Sequence, residues 1–230
     1  MAKVSAVFFD VDFTLIYPGP RFQASGYLAS CAAHGIIIDP SKFDAAVAAA
    51  APLLESGDHV YDHQVFHNYT RRIIERMGGT GPDLDTVART IFLDWAEHRH
   101  FSLYPDVPDA LRTLHAMGIR IGLISNTHRC LTSFESHFEL DGLISATVSS
   151  FDHGFMKPAP SIFRAGLEFM QVDASQAAMV GDSLPHDVRG AKAAGMRAIL
   201  LSRGTPPTEV DEGVTVIRTL AELPMMLVKF

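Results

Sequence analysis

Val4-Ser5-Ala6-Val7-Phe8-Phe9-Asp10-Val11-Asp12-Phe13-Thr14-Leu15 is the stretch that decides how this chain is read. An almost unbroken apolar run ends abruptly in a polar, acidic cluster. A short run without alternation is the pattern of a strand buried on both faces, as in a parallel sheet. Residues 119–124, 177–180 and 197–201 repeat the pattern, and 214–217 is a weaker fifth. Between these runs the apolar spacing turns helical. Ala110, Leu111, Leu114 and Met117 form one stripe, with Gly118 offering a C-terminal cap. Ile162, Phe163, Gly166, Leu167 and Met170 form another, and 187–194, ending at Gly195, reads as a third helix. Strand alternating with helix predicts an α/β fold: a parallel, Rossmann-like sheet with right-handed crossovers.

From Thr14 to about residue 100 the rhythm breaks. No convincing strand is found there, and 26–33, 43–54, 61–77 and 84–97 read as helices. The expected organisation is a Rossmann-like core of residues 1–16 and 101–230, with an all-α domain, 17–100, inserted after the first strand. His59, His63 and His67 lie four apart in the insertion, a spacing that lines one face of a helix. Without an acidic residue or cysteine to complete a metal site, they read as a solvated face. Trp95 reads as core rather than as a stacking platform.

Composition narrows the function. The 230 residues are 47% hydrophobic and 20% charged, enough to build a full core, and the net charge is −7. A duplex nucleic acid needs a basic face, so no nucleic-acid partner is expected. A small anionic substrate remains compatible, because a few local lysines and a metal ion can hold a phosphate. Two distant cysteines, Cys31 and Cys130, argue against a disulfide framework or zinc cluster and fit a reducing cytoplasm. The early Asp10 argues against a signal peptide. The longest apolar stretch, 45–54, is about half the roughly 20 residues a membrane span requires, so no membrane partner is expected. Oligomeric state leaves no mark.

Four segments put polar groups at or near the ends of apolar runs: Asp10-Val11-Asp12-Phe13-Thr14, Ser125-Asn126, Lys157-Pro158, and Gly181-Asp182 with Asp187 further on. In an open parallel sheet, ligands bind at the carboxyl ends of the strands. Each segment is weak evidence by itself; the four in this order are strong. In them the chain resembles the haloacid dehalogenase (HAD) superfamily, which consists mostly of phosphatases. Asp10-x-Asp12-x-Thr14-Leu15 is similar to its first motif, Ser125-Asn126 to its second, Lys157-Pro158 to its third, and Gly181-Asp182-x-x-x-x-Asp187 to its fourth. A helical block after the first motif resembles the family's cap domain of the first type, although the block's own sequence matches far less specifically.

The resemblance implies a Mg²⁺-dependent phosphatase that hydrolyses a small phosphorylated metabolite through an aspartyl-phosphate. Asp10 would be the nucleophile and Asp12 the general acid and base. The Asp10 and Asp182 side chains and the Asp12 backbone carbonyl would hold Mg²⁺. Ser125 and Asn126 would donate to phosphoryl oxygens, and Lys157 would neutralise their charge. Asp187 would orient Lys157 or a metal-bound water, and Thr14 would brace the Asp12 loop. The cap would close over the site, exclude water and read the leaving group. Phosphomutase and dehalogenase activities share this fold, and a non-catalytic phospho-ligand sensor is a rival of another class. A receiver-type regulatory domain lacks a helical insertion and is much shorter.

One residue departs from the family pattern: Phe13 stands where glycine is usual. Either the backbone there needs no positive φ, or Phe13 forms an apolar wall beside the substrate. The family's true dehalogenases carry an aromatic residue at the second-aspartate position itself. Asp12 therefore favours phosphate esters over carbon–halogen bonds.

Overall fold

The computed structural model describes residues 3–55, 57–204 and 210–228. Strands β1 (Ala6–Phe9), β4 (Arg120–Ser125), β5 (Ile144–Ser149), β6 (Ala177–Gly181), β7 (Arg197–Leu201) and β8 (Thr215–Ile217) form one parallel sheet in the order β5-β4-β1-β6-β7-β8. Two further short strands, β2 (Ile16–Pro18) and β3 (Phe101–Leu103), pair with each other at the passage out of and back into the core sequence. The sequence reading gave no strand at either; three residues are too few for a period to show.

The chain divides into two compact units, Met1–Tyr17 with Leu103–Phe230, and Pro18–Ser102. The first contains the large sheet. The second contains helices α1 (Ala24–Ala32), α2 (Phe43–Ala50), α3 (Pro52–Glu55), α4 (His63–Arg76) and α5 (Leu84–Asp94). Asp62 ends the preceding loop and caps α4, its carboxylate accepting the Gln64 N–H at 2.8 Å. His59 lies upstream of that cap with φ +63°, so the three histidines do not share a helix face. Trp95 packs against Phe22 and Phe101 within the same unit, at centroid distances of 4.2 and 5.1 Å.

In the sheet unit, α6 (Val107–Ala116), α7 (Phe134–Phe138), α8 (Ser150–His153), α9 (Pro160–Met170), α10 (Gly190–Ala193) and α11 (Leu223–Leu227) complete the fold. All four β1 residues are fully buried, as the apolar run predicts. Phe8 fits because two glycines yield to its ring. A Cβ on Gly122 would come within 2.6 Å of it, and one on Gly166 within 2.9 Å.

One strand and one helix differ in detail from the reading. β5 was not anticipated, because Ile144-Ser-Ala-Thr-Val-Ser is an edge strand, half polar and only partly buried, with no continuous apolar run. The helix expected over 187–194 is present but begins earlier, as a π-type turn, Leu184–Arg189, that runs into the short α10. Such wide turns gather at functional sites, and this one contains Asp187.

The topology places a ligand site. From β1 the chain builds β4 and β5 to one side and β6, β7 and β8 to the other. Connections leaving in opposite directions open a crevice at the carboxyl end of β1.

Candidate active site

Asp10 is the first residue past β1, and its N–H continues the ladder to Val180 of β6 at 2.9 Å. Its carboxylate is thereby fixed at the switch point. Ser125 is the last residue of β4, pairs in register with Ser149 and is buried. Asp182 follows directly on β6. Lys157 precedes Pro158 through a cis peptide bond and is 2% exposed.

The Lys157 ammonium donates to Asp10 Oδ1 at 2.5 Å and to Asp187 Oδ1 at 2.7 Å. Asp187 uses its other oxygen to accept the Ser183 N–H at 2.9 Å. Gly181 makes room for this arrangement: a Cβ there would stand 2.1 Å from Asp187 Oδ2. Asn126 holds Lys157 from the backbone side. Its Nδ2 donates to the Lys157 carbonyl at 2.9 Å, and its Oδ1 accepts the Lys157 N–H at 2.6 Å. The side chain expected to reach phosphate is thus turned to the lysine's main chain.

One oxygen from each of Asp10, Asp182 and Asp187 lies within 4.8 Å of the others. Burial pushes the Asp10 carboxyl well above the usual carboxylate range; Lys157 opposes this, and Asp187 and Asp182 add to it. Asp182 as a residue is exposed, yet desolvation of its carboxyl and the nearby Asp187 push it up to about 7. Lys157 is held above the usual lysine range: burial disfavours its charge, but Asp10 and Asp187 outweigh that. Three carboxylates facing one ammonium form a site short of positive charge. The donors are hard oxygens, which suits a divalent cation such as Mg²⁺.

Asp12 points elsewhere. Arg129 Nη1 donates to Asp12 Oδ1 at 3.1 Å and to Oδ2 at 3.2 Å. Sequence reading missed Arg129, because nothing in Ser125-Asn126-Thr127-His128-Arg129 separates a buried arginine from a solvated one. Thr14 was expected to brace the Asp12 loop; instead its hydroxyl donates to Asp182 Oδ1 at 3.4 Å. The loop is held by the backbone and by Arg203. The Phe13 N–H donates to the Ile16 carbonyl at 2.7 Å, and Arg203 Nη2 donates to the Thr14 carbonyl at 2.8 Å. Arg203 also forks onto Asp106 and lies 3.8 Å over the Tyr104 ring.

Phe13 has φ +64°, so its backbone does adopt the conformation that glycine serves best. The first of the two explanations for its departure falls. Its ring is 45% exposed and lines a cavity of about 390 Å³ with Tyr104, Asp182, Leu184, Leu200 and Arg203.

The family model for haloacid dehalogenase-like hydrolases matches residues 4–195. This protein belongs to the haloacid dehalogenase-like hydrolases. It is 34% identical over 148 residues to a phosphoserine phosphatase of Thermus thermophilus, across 61% of this chain and 56% of that one. It is 28% identical to a ribulose-1,5-bisphosphate 5-phosphatase of Halopiger xanaduensis, across 95% and 92% of the two chains. The crystal structure of a 2-haloacid dehalogenase from Pseudomonas syringae matches at 25% identity and a TM-score of 0.67, covering 98% of this chain and 99% of that one. The parallel-sheet fold with a helical insertion is therefore this family's.

Proposed function

We propose that this HAD hydrolase is a Mg²⁺-dependent phosphatase of small phosphate monoesters. The observation that carries the reading is the meeting of Asp10, Asp182, Asp187 and Lys157 at the carboxyl end of β1, with Asp12 two residues from Asp10. The phosphatase names of two relatives support the substrate class. The two free cysteines support a reducing, cytoplasmic setting.

In this reading an Asp10 carboxylate oxygen attacks phosphorus. The bond to the leaving oxygen breaks as Asp12 gives that oxygen its proton, releasing an alcohol and leaving an aspartyl-phosphate. Asp12 then takes a proton from water, the water oxygen attacks phosphorus, and the bond to Asp10 breaks. Inorganic phosphate leaves and both carboxyl groups return to their starting forms. Lys157 stays on Asp10 and balances charge on the phosphoryl oxygens. Asp187 and Asn126 hold Lys157, Ser125 donates to phosphate, and Thr14 steadies Asp182. The Asp10 and Asp182 carboxylates and the Asp12 carbonyl would hold Mg²⁺, with Asp187 beside them. When bound, the ion supplies the positive charge that keeps these carboxylates ionised and balances the incoming phosphate.

Phe13 and Tyr104 form an apolar wall for the leaving group. A departing halide needs no proton, so an acid–base residue at position 12 favours the phosphatase over the dehalogenase reading. Activity on a phosphate ester should vanish in a chelator and return with Mg²⁺, while Ca²⁺ restores little. Asp10→Asn should lower kcat by about 10³ or more. Full activity in the chelator would overturn the metal assignment, and no activity with Mg²⁺ on any ester would favour the sensor.

A further inference from the structure

Arg129 is the buried charged group that this chemistry leaves unused. It comes from the loop after β4, where its N–H donates to the Thr127 hydroxyl at 3.0 Å. The Thr127 carbonyl in turn accepts from the Phe151 N–H at 3.2 Å and the Ser150 hydroxyl at 3.3 Å. Thr127 and Ser150 are both buried, so the loop has firm support.

We propose that Arg129 is the positioning residue for Asp12, holding its carboxylate in the orientation from which it exchanges a proton with the leaving oxygen. The proposal rests on the acid–base reading of Asp12. One guanidinium nitrogen is almost equidistant from the two carboxylate oxygens, at 3.1 and 3.2 Å. Rotating the carboxylate about its Cβ–Cγ bond would break this shared contact. The Arg129 side chain is 0% exposed, whereas that of Asp12 is 17% exposed. The cation therefore approaches from the protein side and leaves the open edge of Asp12 to the substrate. Arg129 acts through Asp12 rather than on the ligand. A lysine would keep the charge but lose the planar, pre-oriented head and the reach.

Two properties separate this role from a structural one. A misoriented acid slows departure of a poor leaving group and leaves substrate binding alone. It matters little when the leaving group departs without a proton. The experiment compares a simple alkyl phosphate with p-nitrophenyl phosphate in the natural protein, Arg129→Lys, Asp12→Asn and the double variant, with melting temperatures for all four. The expected result for Arg129→Lys is a fall in kcat of roughly 10- to 100-fold on the alkyl ester and at most about 3-fold on the aryl ester, with KM little changed. The double variant should be hardly slower than Asp12→Asn, because the two residues act as one unit.

Equal losses on both esters, a loss carried by KM, or multiplying losses in the double variant would overturn the positioning role. If Asp12→Asn itself ignores the leaving group, the acid–base reading beneath it fails instead. If Arg129→Lys does not fold, Arg129→Gln, with its planar hydrogen-bonding head, carries the same comparison. If neither folds, Arg129 serves the fold and the assignment falls.

Discussion

The sheet unit and the helical unit spend their buried polar groups differently. In the sheet unit Asp10, Thr14, Ser125, Thr127, Arg129, Lys157 and Asp187 are buried. Among the described residues of the helical unit, the buried polar side chains are Thr70, His98 and, through its hydroxyl, Tyr27. The Thr70 hydroxyl is satisfied locally, donating to the Phe66 carbonyl one turn back at 3.1 Å. The partners in the sheet unit come from far along the chain: Lys157 meets Asp10 across 147 positions and Arg129 meets Asp12 across 117. Charge in the helical unit stays wetter, as in the Arg21–Asp94 pair, whose side chains are each 24% exposed. Burying ions costs desolvation that mutual attraction rarely repays in full. A fold that carries several in one place, with two carboxylates shifted upward, is organised there for chemistry rather than for stability.

The strongest test of this contrast makes the same substitution in each unit. Gly181→Ala drives a Cβ into the Asp187 carboxylate, so Lys157 loses its second anchor. We expect kcat/KM to fall about 10²-fold, the scale of an ångström-level misplacement. Gly79→Ala in the helical unit crowds Ile74, with Cγ2 at 2.5 Å. It should cost about 1–3 kcal/mol of stability through overpacking, lower the melting temperature accordingly, and leave kcat of the folded protein within about twofold. If both glycines behave alike in kinetics, the contrast fails.

The next test uses the metal and pH. Asp10 and Asp182 hold protons more readily in the folded, metal-free protein than in the unfolded chain. For Asp182 that contribution is present below the ordinary carboxylate range and is lost as pH rises through about 7, and Asp10 acts in the same direction. Mg²⁺ competes with those protons. At about a hundred times its dissociation constant it should add about 2.7 kcal/mol, or roughly 5–10 °C in melting temperature. The gain should be larger at pH 8 than at pH 6. Calorimetric melting with Mg²⁺ or chelator at both pH values checks it; a gain that grows toward low pH would break the assignment.

The smallest effect on stability belongs to Phe13. A non-glycine residue at φ +64° carries about 1–3 kcal/mol of strain, and this ring is only about half buried. Phe13→Gly should therefore leave the melting temperature level or slightly higher. If the ring forms part of the leaving-group wall, bulky esters should gain on small ones by roughly tenfold to a hundredfold in kcat/KM. An unchanged ranking would remove Phe13 from the specificity residues.

Much of this was legible from neighbours in the chain. Fully buried strands announce themselves as apolar runs, and β1, β4, β6 and β7 were all found that way. Their ends located Asp10, Ser125 and Asp182, because where a strand stops is a local property. Edge strand β5 was missed since one exposed side dilutes its pattern. What the sequence left open was pairing. Whether Asn126 serves phosphate or the Lys157 backbone, whether Thr14 braces Asp12 or Asp182, and whether Arg129 lies in water or under a carboxylate depend on residues brought together from distant positions. The φ of Phe13 was equally hidden, because the Ile16 carbonyl and the turn it closes impose it on a side chain that would not choose it. Periodicity records what each residue needs from its neighbours; the choice of partner across the crevice is made when the sheet assembles, and the tertiary structure decided it.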